Sequence, residues 1–147
     1  MCMDTAKGFT MAGRLQDVSV VIVDDDADIA EAMQTALEAE GAEVTTVGNG
    51  NDAVTVITEG SPDVVVLDMM LPGRSGFLVL EKIKGEKDSP VVIMLTANEG
   101  KRHQAYAQSL GVDRYLLKPA PLEHLIASCR ELLDARDAEE RKGNKKK

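Results

Sequence analysis

The stretch Asp63-Val-Val-Val-Leu-Asp68-Met-Met-Leu-Pro-Gly-Arg-Ser-Gly76 decides the fold. The apolar run from Val64 to Leu67 is rich in β-branched side chains and is followed by a carboxylate and a Pro-Gly loop. Runs of this kind are typical of parallel strands buried on both faces. Ligands bind just beyond the carboxyl ends of such strands in an open sheet. Asp68 is therefore placed where a rigid carboxylate can react, although an isolated aspartate after a strand usually serves only the turn.

The rest of the chain alternates short apolar runs with amphipathic helical patterns. Strands are also predicted at 18–23, 43–47, 91–95 and 114–117, and helices at 28–40, 51–59, 76–84, 99–110 and 121–136. Asp26 or Asp28 is expected to start the first helix, and Asn51 to cap the second. The last helix is expected to turn Leu122, Leu125, Ile126, Cys129 and Leu132/Leu133 inward. These patterns predict an α/β fold, a doubly wound five-stranded parallel sheet, while leaving the strand order open.

Length and composition indicate one domain with an aliphatic core. The chain has 147 residues, two Phe, two Tyr and no Trp. Residues 1–17 lack periodicity and are predicted to form a flexible N-terminal extension. Residues 18–136 then form the domain. Residues 137–147 are polar and end in three lysines, so a disordered basic tail is predicted there.

Charge and cysteine content restrict the classes of function. The formal net charge of −8 argues against direct binding to nucleic acid or to an anionic membrane. Cys2 and Cys129 lie far apart without metal-ligand spacing, which favours a reduced, cytoplasmic setting. We find no apolar run of transmembrane length and no signal-peptide core in the sequence.

Polar groups follow four of the five predicted strands. Asp24 and Asp25 follow the first strand, Asp68 the third, Thr96 the fourth and Lys118 the fifth. If these strands are neighbours, carboxylates about 4 Å apart repel by about 4 kcal/mol per pair. A hard cation with oxygen ligands resolves that repulsion, and Mg²⁺ suits a site with few protein ligands. A carboxylate nucleophile, a divalent ion, an ammonium and a hydroxyl together suit phosphoryl transfer.

These motifs resemble those of the receiver domain of two-component response regulators. The resemblance covers about residues 19–133 and is carried by Val23-Asp24-Asp25, Leu67-Asp68-Met-Met-Leu-Pro-Gly-x-x-Gly76, Leu95-Thr96-Ala97 and Leu117-Lys118-Pro119. Each motif is weak alone, but all of them in this order make a specific signal. The resemblance implies a flavodoxin-like (βα)5 sheet with strand order 2-1-3-4-5, and a stand-alone single-domain receiver.

The resemblance also implies a site. Asp68 would accept a phosphoryl group from a sensor histidine kinase or a phosphotransfer protein. Asp25 and Asp68 would bind Mg²⁺ together with the backbone carbonyl of Met70, and Asp24 would hold a metal-bound water or a neighbouring ligand position. The Met70 side chain lies where receivers control water access to the acyl phosphate, and it is apolar.

Further positions match the part of the family that responds to phosphorylation. Thr96 and Lys118 would contact the phosphoryl oxygens, and Tyr115 would turn inward as Thr96 moves. Plain packing in the sheet is an equal alternative for Tyr115. Pro119 matches a cis proline, and Asn98 is a polar residue able to orient water. His103 and His124 are interpreted as surface residues.

The function that follows from the resemblance is a phosphorylation-controlled switch and not an enzyme. Its output would be protein contact through the face of the fourth helix, fifth strand and fifth helix, with a possible homodimer on phosphorylation. One alternative is a receiver-like binding module without phosphotransfer. A flavin carrier or an aspartyl-phosphate hydrolase is a third. The acidic run Asp24-Asp25-Asp26 stands where a flavin site needs a phosphate-binding loop, and the length leaves little room for a hydrolase cap domain.

Overall fold

Five strands and five helices alternate along the chain. The computed structural model describes residues 13–85, 88–97 and 100–145, with side chains described through residue 140. The elements are β1 (Ser19–Val23), α1 (Ala27–Ala39), β2 (Glu43–Val47), α2 (Gly50–Gly60), β3 (Val64–Leu67), α3 (Gly76–Lys84), β4 (Val91–Thr96), α4 (Lys101–Ser109), β5 (Arg114–Leu117) and α5 (Leu122–Lys145). Among the helices of the described part, none is both long and apolar enough to cross a bilayer.

All five strands pair in parallel in the order β2-β1-β3-β4-β5. This confirms the strand order that the family resemblance implied. The register pairs Val23 with Leu67 at the ends of β1 and β3, and Thr96 with Leu117 at the ends of β4 and β5. The residues that follow these strands therefore emerge at one edge of the sheet, which is the edge where the site was predicted.

Two aliphatic layers cover the two faces of the sheet. β3 and β4 are buried along their whole length, as expected for central parallel strands. Alternate residues of β3 point to opposite layers, because successive side chains of a strand point to opposite faces. One layer packs against α1 and α5 and includes Ile22, Met33, Leu37, Val66, Ile93, Leu125 and Cys129. The other packs against α2, α3 and α4 and includes Val23, Ile57, Val65, Leu67, Leu80, Ile83 and Met94.

The N-terminal residues that the structure describes are not a flexible extension. The Leu15 side chain is fully buried in the α1/α5 layer, and its N–H donates to the backbone oxygen of Glu40 at 2.9 Å. Arg14 forms ion pairs with Glu40 and Glu123. The prediction for residues 13–17 is thus wrong, because one leucine gives no periodic signal and its burial depends on distant helices. The remainder of the predicted extension lies outside the described residues.

The N-cap of the second helix lies two residues earlier than predicted. Asn49, and not Asn51, is the N-cap, and its side chain accepts the N–H of Asp52 at 2.8 Å. Gly50 is the first helical residue, and a Cβ atom there would collide with the backbone oxygen of Arg74. The close approach of the loop before α3 therefore requires glycine at this position.

The last helix extends further than predicted and exposes its first residue. The sequence predicted an end near residue 136 and a disordered tail at 137–147, but α5 continues to Lys145. Residues 138–142 are Ala, Glu, Glu, Arg and Lys, which favour helix without needing burial. Leu122 is 39% exposed, whereas Leu125, Ile126, Cys129 and Leu133 are buried as predicted.

Candidate functional site

Two of the predicted carboxylates are held by the sheet itself. The hydrogen-bond ladder continues one residue past β1 and β3: Asp24 N–H donates to Val47 O at 3.0 Å, and Asp68 N–H donates to Val23 O at 2.9 Å. Asp24 and Asp68 are only 5% and 8% exposed. Both carboxylates are therefore fixed at neighbouring positions on the carboxyl edge of the sheet.

The three aspartates that follow β1 have different environments. Asp24 Oδ1 accepts the N–H of Asp26 at 2.9 Å, which turns the chain away from the strand. Asp26 is the N-cap of α1 and accepts the N–H groups of Asp28 and Ile29, both at 3.1 Å. Asp25 is exposed beside the site. The structure thus confirms that Asp26 starts the helix.

Lys118 lies between the two buried carboxylates. Its N–H donates to Thr96 O at 2.8 Å, which anchors the end of β5 to the end of β4. The Nζ atom lies 2.7 Å from Asp24 Oδ2 and 3.2 Å from Asp68 Oδ2. The Lys118-Pro119 peptide bond is cis, as the resemblance implied. One ammonium therefore bridges two carboxylates from different strands.

The charges at this edge do not balance. Burial alone would lower the pKa of Lys118, but the hydrogen bond to Asp24 and the charge of Asp68 outweigh burial, so the pKa is raised. Carboxylate oxygens of Asp24, Asp25 and Asp68 all lie within 4.8 Å of one another. Three carboxylates facing one ammonium leave an excess of negative charge, and this all-oxygen donor set fits a hard divalent cation such as Mg²⁺.

The loop after Asp68 is tightly packed against the strand end. Met70 N–H donates to Asp68 Oδ1 at 3.2 Å, and Gly76 N–H donates to Met69 O at 2.9 Å. A Cβ atom on Gly76 would collide with the backbone oxygen of Asp68. The Met70 side chain is 67% exposed beside the acids. Asn98, the other residue linked to water access, lies outside the described residues.

Thr96 and Tyr115 lie on the two strands next to the acids. Thr96 is buried at 1% exposure at the end of β4. Tyr115 is half-buried on β5, where it pairs in register with Met94, and burial raises the pKa of its phenol. The structure thus places the Thr96 hydroxyl, the Lys118 ammonium and the acids at adjacent strand ends. The Tyr115 ring lies on β5, two residues before the last residue of that strand.

The family profile of the response regulator receiver domain matches residues 20–130. This span includes all five strands apart from Ser19, the first residue of β1, and it includes all the site residues described above. The chain belongs to the response regulator receiver family. Such receivers are phosphorylation-linked switches of two-component systems and are not metabolic enzymes, and they bind Mg²⁺ in an acidic pocket of the kind that Asp24, Asp25 and Asp68 form here.

Relatives of known sequence and structure resemble this receiver. It is 39% identical over 118 residues to the probable transcriptional regulatory protein TcrX of Mycobacterium tuberculosis, with 80% of this chain and 50% of that protein aligned. The chain thus spans about half the length of that relative. A CheY-like receiver from Methanospirillum hungatei superimposes with a TM-score of 0.81 at 27% identity, covering 84% of this chain and 99% of the other. The BeF3-activated receiver of Klebsiella pneumoniae RstA gives 0.74 at 28% identity, with coverages of 78% and 97%.

Sequence reasoning missed one feature of this receiver. His103 was interpreted only as a surface residue. In the structure the Phe77 ring stacks on His103 with centroids 5.9 Å apart and meets Tyr106 edge-on at 5.0 Å. These three residues link α3 to α4. The chain has only two Phe and two Tyr, so a comparison of their positions in the sequence was the available way to find this contact.

Proposed function

We propose that this receiver accepts a phosphoryl group on Asp68 in a Mg²⁺-dependent reaction and acts as a phosphorylation-controlled protein-interaction switch. The observation that supports this most directly is the position of Lys118 Nζ, 2.7 Å from Asp24 and 3.2 Å from Asp68. An ammonium held by two acids beside an exposed third acid is suited to charge neutralisation during phosphoryl transfer.

The transfer step follows from the chemistry of Asp68. One of its carboxylate oxygens attacks the phosphorus of a phosphohistidine on a sensor kinase or phosphotransfer protein. The oxygen–phosphorus bond forms as the phosphorus–nitrogen bond breaks, and the leaving imidazole nitrogen regains its proton. Lys118 then pairs with the new phosphoryl oxygens, since its ammonium already lies 3.2 Å from Asp68 Oδ2 on a flexible side chain.

The three acids also provide the oxygen ligands for a metal ion. Asp24, Asp25 and Asp68, with the Met70 backbone carbonyl, would hold Mg²⁺, which supplies charge neutralisation when bound. The Asp24 carboxylate accepts the Asp26 N–H and pairs with the Lys118 ammonium, so it is oriented from two sides. Asp25 is the exposed member and is accessible to an entering ion.

We assign the structural response to phosphorylation to Thr96 and Tyr115. Thr96 would bond a phosphoryl oxygen, and Tyr115 would follow it inward from its half-buried position on β5. These movements would alter the face formed by α4, β5 and α5, where Leu117 is 44% exposed. A protein partner or a second phosphorylated copy would bind there.

A direct test uses the purified chain with Mg²⁺ and acetyl phosphate or phosphoramidate. We expect intact-mass spectrometry to detect one added phosphoryl group that is labile to hydroxylamine, as acyl phosphates are. Asp68→Asn and removal of Mg²⁺ with EDTA should both prevent the addition. Thr96→Ala is a matched control, because it should still accept the group while losing the change in the α4–β5–α5 face.

Failure of the wild-type chain to incorporate phosphate at saturating Mg²⁺ and donor would favour the alternative, a receiver-like binding module without phosphotransfer. The flavin-carrier alternative predicts a yellow protein, and the hydrolase alternative predicts phosphatase turnover. The acidic loop after β1 opposes phosphate binding in a flavin site because like charges repel.

Membership of the family indicates the class of partner protein. Receivers interact with histidine kinases or phosphotransfer proteins. The aligned relative is named a probable transcriptional regulatory protein, and this chain spans half of it. That this chain itself does not bind nucleic acid or membranes, and that it works in the cytoplasm, remain predictions from its net charge of −8 and its cysteine usage.

A further inference from the structure

An apolar groove of about 210 Å³ opens between the first half of α1 and the start of α5. Lys118 and Pro119 line the part of it that comes from the loop before α5. The rest of the lining is aliphatic. We call this cavity the α1–α5 groove, and the residues that define it are Ile29, Ala32, Met33, Leu95, Leu122 and Leu125. Ile29 and Leu122 are 36% and 39% exposed, so the groove presents aliphatic surface to water.

The described part of the chain begins beside both helices that form the groove. Gly13, the first described residue, lies so close to the end of α1 that a Cβ atom on it would collide with the backbone oxygen of Glu40. The next residue, Arg14, forms ion pairs with Glu40 and with Glu123. Glu123 directly follows Leu122, which lines the groove. The chain that precedes Gly13 therefore starts on the same face of the molecule as the α1–α5 groove.

The distance from Gly13 to the groove matches the spacing of two apolar residues in the sequence. Met33 and Glu40 are seven residues apart, so they lie on one face of α1 with about 10 Å between them along the helix. An extended chain covers about 3.3 Å per residue, so Met11 and Phe9 can reach roughly 7 and 13 Å from Gly13. Both side chains can therefore reach the part of the groove at Met33.

We propose that residues 1–12 bind the α1–α5 groove of their own chain and place the side chains of Phe9 and Met11 in it. An apolar cavity of about 150 Å³ accepts a benzene ring, so a groove of about 210 Å³ has room for the Phe9 ring. Binding removes the exposed aliphatic surface of Ile29 and Leu122 from water, which is the driving force for such contacts.

The chain's own segment fits the groove better than a second copy of the protein. Leu15 is already buried in one apolar layer with Met33 and Leu125, so the proposed contact continues an existing one. Covalent attachment also keeps residues 1–12 at a high effective concentration near the groove. The segment contains one Asp and one Lys, whereas a second copy would bring another net charge of −8 against the first.

The test uses fluorescence of the full chain. The sequence contains no Trp, so Phe9→Trp introduces a single indole. We expect its emission to be shifted to the blue and shielded from acrylamide, because a bound ring lies in apolar surroundings. Ala32 lines the groove from an exposed position of α1. Adding Ala32→Arg should fill the groove, so the blue shift and the shielding should both be lost.

Matched controls separate loss of the groove from a general effect of substitution. Ala105→Arg makes the same change at an exposed position of α4, which packs against the opposite face of the sheet, and should keep the blue-shifted emission. Asp68→Asn should keep it as well, because Asp68 does not line the groove. Failure of phosphotransfer and failure of this proposal therefore give different results. Thermal melts establish that each variant is folded.

A second measurement uses the natural side chains, so it does not depend on the introduced indole. Backbone amide shifts of the wild type are compared with those of Phe9→Ser/Met11→Ser. We expect the differences at Ala32, Ala120 and Leu122, which line the groove, and not on α4.

Several outcomes would overturn the proposal. One is a solvent-exposed emission spectrum for Phe9→Trp, and another is an equal loss of the blue shift with Ala32→Arg and Ala105→Arg. A blue shift that disappears on dilution would assign the groove to a second copy. Amide shifts that are unchanged around the groove in Phe9→Ser/Met11→Ser would overturn the proposal as well.

Discussion

Aspartates flank the strands at both edges of the sheet, but the two edges neutralise them differently. At the carboxyl edge, Asp24 and Asp68 share the single ammonium of Lys118, and Asp25 adds a third carboxylate. The side chains of Asp24 and Asp68 are only 3% and 9% exposed. This edge therefore carries more negative charge than its one ammonium balances.

At the amino edge, Asp63 and Asp113 each have a cation of their own. Asp63 lies 3.5 Å from Arg136, and Asp113 lies 2.7 Å from Lys84. Their side chains are 39% and 32% exposed, so solvent shares the remaining charge. Each acid also accepts a backbone N–H of a neighbouring strand, from Ser19 to Asp63 at 2.9 Å and from Val92 to Asp113 at 2.8 Å.

The difference teaches how the same residue type serves two purposes in one sheet. A carboxylate with its own cation and a strand N–H is fully satisfied and holds the strands together. Carboxylates that outnumber their cation are left with capacity to bind an ion or to react. Substitutions at the two edges should therefore have opposite consequences for activity and stability.

The largest effect is expected from Asp68→Asn at the carboxyl edge. Phosphoryl incorporation should be lost entirely, because the nucleophilic oxygen is gone. The free energy of unfolding in the absence of Mg²⁺ should stay equal or rise, since one repelling charge is removed. Mass spectrometry and urea denaturation measure the two quantities. The amino-edge variant Asp63→Asn should still incorporate the phosphoryl group. Loss of incorporation in Asp63→Asn would contradict the proposed difference between the two edges.

Asp113→Ala at the amino edge should give the next largest effect. It leaves the Val92 N–H without its acceptor and the Lys84 ammonium with only the Pro90 carbonyl, so the free energy of unfolding should fall by about 1–3 kcal/mol. Urea denaturation measures the change. Asp113→Asn retains an acceptor for the N–H and should lose less. Equal losses in the two variants would show that the strand hydrogen bond contributes little.

Mg²⁺ should stabilise the protein through the carboxyl edge alone. At a concentration ten times its dissociation constant, the ion should raise the free energy of unfolding by about 1.4 kcal/mol. Asp25→Asn should reduce this increment, because the exposed acid of the cluster is neutralised. Asp113→Asn should leave it unchanged. Denaturation with and without Mg²⁺ is the measurement, and an equal increment in all proteins would contradict the assignment.

The smallest effect is expected from the titration of Lys118. Its folded-state pKa is raised above the ordinary 10.5, so its charge stabilises the fold fully below that pH. The contribution is lost as pH rises through the higher folded-state value. Without Mg²⁺, wild type should therefore be more stable than Lys118→Met at neutral pH, and the difference should shrink in strong alkali. A difference that grows with pH would contradict the sign.

Local patterns in the sequence were sufficient for the strand ends and the acids that follow them. The uninterrupted run before Asp68 signalled a central strand, and the run before Asp24 did the same for β1, because burial on both faces excludes polar residues. The strand order needed the likeness to a known family. Periodicity describes one element at a time and contains no information about its neighbours.

Features that depend on contacts between distant segments were predicted less well. Leu15 is buried by helices that follow much later in the chain, and Gly50 starts α2 because the loop at Arg74 approaches it closely. The last helix continues to Lys145 on helix propensity, although its polar composition indicated a tail. The contacts of Phe77 with α4 had no signal in the spacing of the sequence.

The sequence by itself determined which residues end the strands, and hence which acids, hydroxyl and ammonium were available for a site. Only the tertiary structure decided how they share charge: that Lys118 bridges Asp24 and Asp68, that Asp26 is used by the helix, and that Asp25 stays exposed. The reason is physical. Composition fixes the number of charges, but their energies depend on distance and burial, which exist only once the strands have paired.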